Sequence, residues 1–465
     1  MYTETAQELA KKIKEKKISV QEAAESCIKN IEKYNKNFNT FITVANKSYL
    51  DKAKEIQARI DKGEELSSLA GVPVALKDNI LTKGIRTTCA SKMLGNFEPV
   101  FNATVAEKLE NAGMLVIGKL NMDEFAAGGC EEFGAVCNPW NVTRIAAEGA
   151  AIAAGQAPLA LAGGGVRKTG SFCGVTEIKP TYGSVSRFGI TAFTSSFDQA
   201  SPVGQDINDC AALLSVISGP DEKDGTCVIK EPFNFDDSKN DKADVHGVKI
   251  GIMQNFHAND DVKNAVLASA KEFEAAGALV ENFEMPFMDY IIPVYYIIGC
   301  AEASSNLAKY DGLKYGYRSP DAKTLSDVYR LSRSEGFGFD IKKRIMLGSL
   351  VLSSDYYDAY FRKALQARTL IKDAYNKLFE RFDLIISPFA PVVSQKPDEP
   401  AAEDIYAASV NLAGLPAATL PCGFDSLGMP VGFQLIGSAF CENKIVNAAR
   451  VYQSRTDYHK KRTVL

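Results

Sequence analysis

The chain reads as an α/β protein, with sheet and helix in layers, and three observations point there. Short apolar runs of strand length alternate with amphipathic stretches of helical period. Capping and turn residues punctuate the boundaries between them. The 465 residues, 46% of them hydrophobic and 24% charged, can bury a large core without disulfides or metals.

Taken in order, the first elements are two amphipathic helices. Thr5-Ala6-Gln7-Glu8 and Ser19-Val20-Gln21-Glu22 have the capping-box pattern, in which a hydroxyl and a carboxylate satisfy free amides at a helix start. Leu9 and Ile13, then Ala24, Ile28 and Ile31, fall on one face of each helix. Val72 to Leu76 predicts a buried strand, Val105 to Ala112 a helix, and Leu115 to Ile117 a further strand. The stretch from Ala146 to Gly174 is rich in alanine and glycine. Val248 to Ile252 resumes the strand pattern, Asp261 to Ala276 predicts a helix stopped by Gly277, and Leu279 to Phe283 predicts another strand. Residues 340–380 predict long helices with a mixed apolar face. Phe382 to Pro388 predicts a strand ending in a turn, and Val393 to Glu403, with its prolines and charges, an exposed loop. Neither an internal repeat nor a linker interrupts the pattern, so the expectation is a single domain over residues 1–465.

Composition narrows the function classes. A net charge of -4 and a pI of about 5.7 argue against a direct nucleic-acid surface. The polar start, Met1-Tyr2-Thr3-Glu4-Thr5, is unlike a signal peptide, and no apolar run approaches a membrane span, so a cytoplasmic protein without a membrane anchor is expected. The ten cysteines include no C-x-x-C pair and read as reduced thiols. His246, His257 and His459 show no metal-ligand spacing, which argues against a zinc site or a Ser-His-Asp triad, and no cofactor is expected.

Gly71-Val72-Pro73-Val74-Ala75-Leu76-Lys77-Asp78-Asn79-Ile80, continuing through Thr82 to Ser91, resembles the lysine segment of the amidase-signature family. Asn121 to Phe125, Asn138-Pro139-Trp140, Phe172-Cys173-Gly174, Lys179 to Gly183 and Asn411 to Pro416 extend that resemblance nearly end to end. Ala303 to Leu307, Tyr315-Gly316-Tyr317 and Arg333 to Gly338 look like the A-type branch of the glutamine-dependent amidotransferases rather than a generic amidase. The resemblance implies a mixed central sheet flanked by helices on both faces. It also implies a heteromer with amidotransferase B- and C-type subunits, and a small amino acid or amide as ligand.

The chemistry implied is a Ser-Ser-Lys relay. One serine attacks the amide, a second passes its proton to a buried lysine, and backbone amides of a glycine-rich turn stabilise the oxyanion. Lys77 matches the lysine, which serves as a base when an apolar surround disfavours its charge. The serines have no counterpart. Where the relay-serine loop is expected, Ile145 to Gly155 runs about five residues shorter by that resemblance and holds no serine. Aligning Val166-Arg167 and Ser171 to Gly174 puts Gly165 at the nucleophile, after a shortening of about three residues, and Glu148 and Lys168 are new charges. A further shortening lies between Gly129 and Asn138.

By motif position, Tyr295, Arg344 and Asp404 correspond to residues that hold the amino-acid end of glutamine, Arg344 suiting a carboxylate and Asp404 an ammonium. Cys130 falls at a pocket position where the family often has serine, and is either a buried thiol or a replacement nucleophile. Three readings follow. The chain is a non-hydrolytic relative that binds a small ligand or a partner. Or it is an enzyme in which Cys130, or else Cys173 or Ser171, attacks glutamine. Or it remains the working glutaminase half of a tRNA-dependent amidotransferase.

Overall fold

The computed structural model describes residues 4–45, 48–164, 169–236, 242–396 and 404–463. Both predicted capping boxes form. Thr5 and Ser19 each accept the amide three residues on, and Glu8 and Glu22 reach back, opening α1 (Ala6–Lys14) and α2 (Val20–Phe38). The remaining helices are α3 (Ser48–Asp61), α4 (Thr104–Asn111), α5 (Gly149–Ala153), α6 (Thr169–Cys173), α7 (Ile207–Ile217), α8 (Asp260–Ala275) and α9 (Met288–Asn306). They continue with α10 (Leu325–Gly336), α11 (Phe339–Val351), α12 (Arg362–Phe379), α13 (Ile405–Ala413) and α14 (Glu442–Arg455). A π-helical turn, Tyr357–Phe361, joins α11 to α12.

The strands are β1 (Phe41–Val44), β2 (Pro73–Lys77), β3 (Leu115–Leu120), β4 (Cys137–Asn138), β5 (Asn141–Ile145), β6 (Leu159–Gly164) and β7 (Thr176–Lys179). After them come β8 (Gln199–Gly204), β9 (Lys249–Met253), β10 (Leu279–Phe283), β11 (Leu384–Pro388), β12 (Ala417–Phe424) and β13 (Pro430–Gly437). Apart from the β4–β5 hairpin, they form one sheet of 11 strands in the order β1-β3-β2-β6-β8-β7-β12-β13-β11-β9-β10. It is mixed: β2 pairs parallel with β3 and β6, β9 with β10 and β11, and the rest are antiparallel.

Alternation along the strands shows why helices cover both faces. Leu384 and Ile386 of β11 enter the core shared with Phe273 of α8 and Ile445 of α14. Ile385, between them, enters a second core with Ile298 of α9, Ile371 of α12 and Val410 of α13. Successive side chains point to opposite sides of a strand, so each apolar run feeds both layers. The mixed sheet between helical layers is as expected.

The loop expected over Val393 to Glu403 needs a correction in its first part. Val393 and Gln395 are buried, and the Gln395 carbonyl accepts from Ile145 N at 2.8 Å, which ties the segment to the end of β5. Residues 397–403 lie outside the described residues. Among those described, no helix is long and apolar enough to cross a membrane.

Candidate active site

Lys77 closes β2, whose other residues are fully buried, and its own side chain keeps 13% exposure. The parallel neighbour β6 runs from Leu159, opposite Val74, to Gly164. Its last residues are held to backbone alone. Asn79 Nδ2 donates to the Gly163 carbonyl at 3.2 Å, and a Cβ on Gly163 would stand 2.8 Å from Asn79 Oδ1. Gly164 has φ +128, and a Cβ there would lie 3.1 Å from Ala126 Cβ and 3.9 Å from Lys77 Nζ. The flank of Gly165, at Gly164, thereby lies near Lys77. Gly165 itself lies outside the described residues.

The partner of Lys77 is a carboxylate. Glu148 precedes α5 with helical dihedrals and does not cap it. Its buried side chain, 3% exposed, turns instead to form an ion pair with Lys77 Nζ. Among the described residues no hydroxyl bonds to Lys77. The Lys77 amine is thus engaged by a carboxylate rather than by a hydroxyl. The sequence marked Glu148 as a new charge, but nothing in it placed that charge on Lys77.

Cys130 belongs to a tight turn in which Phe125 and Ala126 have φ of 50 and 60, and Gly128 and Gly129 of 103 and 84. Phe125 and Ala126 carry backbone strain in the left-handed region, and the ring of Phe125, packed on Tyr310 and Phe337, holds the turn there. Burial, then Asp123, Glu131 and Asp340, raise the Cys130 thiol above its ordinary range. An acidic surround of this kind opposes the thiolate. Cys173 is fully buried and its thiol is pushed up to about 12, first by burial, with Glu148 acting in the same direction. Ser171 is buried as well, and its Oγ accepts from Gly432 N at 3.2 Å.

Arg344, on α11, stacks over Phe193 and Tyr296 at 5.3 and 5.0 Å, and its Nη2 is 3.9 Å from where a Gly128 Cβ would stand. It therefore borders the Cys130 turn, and its Nη1 is buried without a hydrogen bond. Tyr295, on α9, stacks on Phe197 at 5.3 Å and meets Tyr296 edge-on, so that Tyr296 links it to Arg344. Asp404 stands before α13, a helix packed against α9, at the edge of the undescribed residues 397–403. A cavity of about 1010 Å³ opens between the start of α9 and α13, lined by Asn255, His257, Met285, Asp289 and Tyr406 among others. None of the six candidate positions is among the described residues lining it.

The Amidase family matches residues 22–446 of the chain. The chain belongs to the amidase-signature family. It is 47% identical to the A-type subunit of glutamyl-tRNA(Gln) amidotransferase from Agathobacter rectalis, covering 97% of this chain and 93% of that one. The corresponding protein of Geobacillus kaustophilus is 42% identical over 486 residues, with the whole of both chains covered. Among solved structures, the A-type subunit of the same amidotransferase from Thermotoga maritima superposes with a TM-score of 0.76 at 34% identity, covering 94% of this chain and 92% of that one. The peptide amidase of Stenotrophomonas maltophilia, 23% identical and covering 97% and 96%, shares the fold with a TM-score of 0.84.

Proposed function

We propose that this protein is a non-hydrolysing member of the A-type amidotransferase branch of the amidase-signature family. It keeps a pocket for a small amino acid or amide beside Arg344, and it assembles with B- and C-type subunits. The observation that carries this reading is the Lys77–Glu148 ion pair, formed where the relay would need a free amine and a hydroxyl. Ile145 to Gly155 holds no serine, and Gly165 has no side chain with which to attack. The 486-residue match to the Geobacillus protein is longer than this 465-residue chain, as internal shortening would produce. Relay members act as a unit, and one lost oxyanion donor costs about 3 kcal/mol in the barrier, so the combined losses leave little catalysis.

Ammonia release from glutamine tests it, using the purified chain alone and then with B- and C-type subunits present. No release above background is expected in either case. Release that disappears in Lys77→Ala would overturn the reading. Co-expression with the two partner proteins tests assembly separately, with a stable complex on size exclusion as the expected result.

A further inference from the structure

Three parallel strands, β11, β9 and β10, lie side by side at one edge of the sheet, and the chain leaves β9 and β10 toward opposite faces. After β9 it runs into α8, whose Val266 and Phe273 enter the core on one side. After β10 it runs into α9, whose Ile291 and Ile298 enter the core on the other. Loops that part in this way leave a crevice beyond the carboxyl ends of their strands, where open α/β sheets take ligands. The cavity of about 1010 Å³ opens there. Asn255 and His257 reach it from the loop after β9, Glu284 and Met285 from the loop after β10, and Pro391 from the segment after β11.

Its wall is apolar, made by Met285, Met288, Ile292, Ile405 and the ring of Tyr406. The polar groups set into that wall are already committed. Asn255 Nδ2 donates to the Met285 carbonyl and its Oδ1 accepts from Met285 N, both at 2.8 Å. The Tyr406 hydroxyl accepts from His257 N and donates to the His257 carbonyl, again at 2.8 Å. The rim is different. Glu284 and Asp289 are exposed there beside His257, and neither carboxylate has an ion pair or hydrogen bond among the described residues. We propose that this crevice is a ligand site, apart from the pocket proposed beside Arg344, for an apolar molecule that carries a positively charged amine. The apolar body covers Met285, Met288, Ile292, Ile405 and the Tyr406 ring, and the ammonium stays at the rim with Glu284 and Asp289. A cavity of this volume takes a molecule of about drug size, whose apolar body supplies affinity while a few polar groups fix orientation. Here both free carboxylates have one sign, so the rim favours a cation and repels an anion of the same shape.

Calorimetry on the full-length chain at pH 8 tests this with three probes that share one apolar body: phenylbutylamine, phenylbutanol and phenylbutyrate. The amine should bind roughly tenfold or more tightly than the carboxylate, with the alcohol between them. Salt raised from about 0.05 M to about 0.5 M should narrow that spread, because the rim charges are exposed. Glu284→Gln/Asp289→Asn should bring amine and carboxylate within about threefold of each other and leave the alcohol unchanged. Met288→Trp, which fills the crevice, should weaken all three probes by roughly tenfold, and Ile405→Trp replaces it should that variant not fold. Arg344→Lys should leave amine binding as it is, and glutamine should not compete with the amine, so the outcome is separate from the proposed function. An amine that does not bind, or that binds no better than the carboxylate, would overturn the site. So would amine binding that survives both tryptophan variants or that falls in Arg344→Lys.

Discussion

Glu148, just ahead of the five-residue helix α5, forms an ion pair with Lys77 at the end of β2, with 3% of its side chain exposed. Removing one partner of such a pair leaves a charge in a poorly solvated place. Glu148→Ala and Lys77→Met should each lower stability by about 3 kcal/mol. The double replacement Lys77→Met/Glu148→Met should cost less than either single change, because no orphan charge remains. Urea unfolding of the four proteins measures this. Costs that simply add would show the two side chains to be uncoupled.

Cys130 should behave as a sluggish thiol. Burial and the carboxylates of Asp123, Glu131 and Asp340 raise it above the ordinary range, so the thiolate is scarce at neutral pH. Iodoacetamide should label it more slowly than an unstructured cysteine peptide at pH 7.5, with the rate still climbing above pH 9. Peptide mass spectrometry reads the labelling site. Fast labelling at pH 7.5, joined to glutamine hydrolysis that Cys130→Ala removes, would restore the cysteine-nucleophile reading.

The pocket proposed beside Arg344 should respond to α-amino acids. Glutamine or glutamate at a hundred times its Kd should add about 2.7 kcal/mol to stability, seen as a rise in Tm. Arg344→Lys should abolish most of that rise, because an ammonium cannot reproduce the planar two-point contact of a guanidinium with a carboxylate. A rise left intact in that variant would place the ligand elsewhere, the cavity at the start of α9 being the first alternative.

Acid should act on the protein through His459. Burial, with Lys460 and Arg462 nearby, lowers it from 6.5 to about 4, so the folded chain holds it neutral while the unfolded chain takes up a proton. Stability should therefore fall as pH drops from 6.5 toward 4, by about 2 kcal/mol from this group. His459→Gln should flatten the dependence over that window in urea unfolding at pH 7, 6 and 5. An unchanged slope would assign the acid sensitivity to other groups.

Much of the fold was legible because its signals are local. The two capping boxes and the period of α1 and α2 lie within a few residues of each other, and the predicted helix from Asp261 is α8 within a residue at either end. Gly277, φ +92, follows it as expected. The predicted strands over 72–76, 248–252 and 382–388 became β2, β9 and β11 with small shifts at their ends. Helix α9 was not read. It is apolar on most sides and carries Pro293, so no amphipathic period announces it. Of the site, the lysine, the cysteine and the missing serines were visible. What those side chains touch was not, since Lys77 and Glu148 meet only through the pairing of β2 with β6, and Glu124 and Gly338 only where α11 lands on the turn. Asp209 makes the same point, accepting from Ala6 N and Gln7 N at the start of α1 from the far side of the chain.

On the proposed reading, the carboxylate on Lys77 also makes relay chemistry hard to reach by single changes. Restoring a serine alone would present a nucleophile to a lysine already occupied. Removing Glu148 alone would strand an ammonium and cost several kcal/mol before any relay existed to use it. Each step back is uphill when taken singly, and missing loop length returns only by insertion. On the proposed non-hydrolysing reading the pair works as a ratchet: with Glu148 turned inward, a return to hydrolysis needs several changes at once.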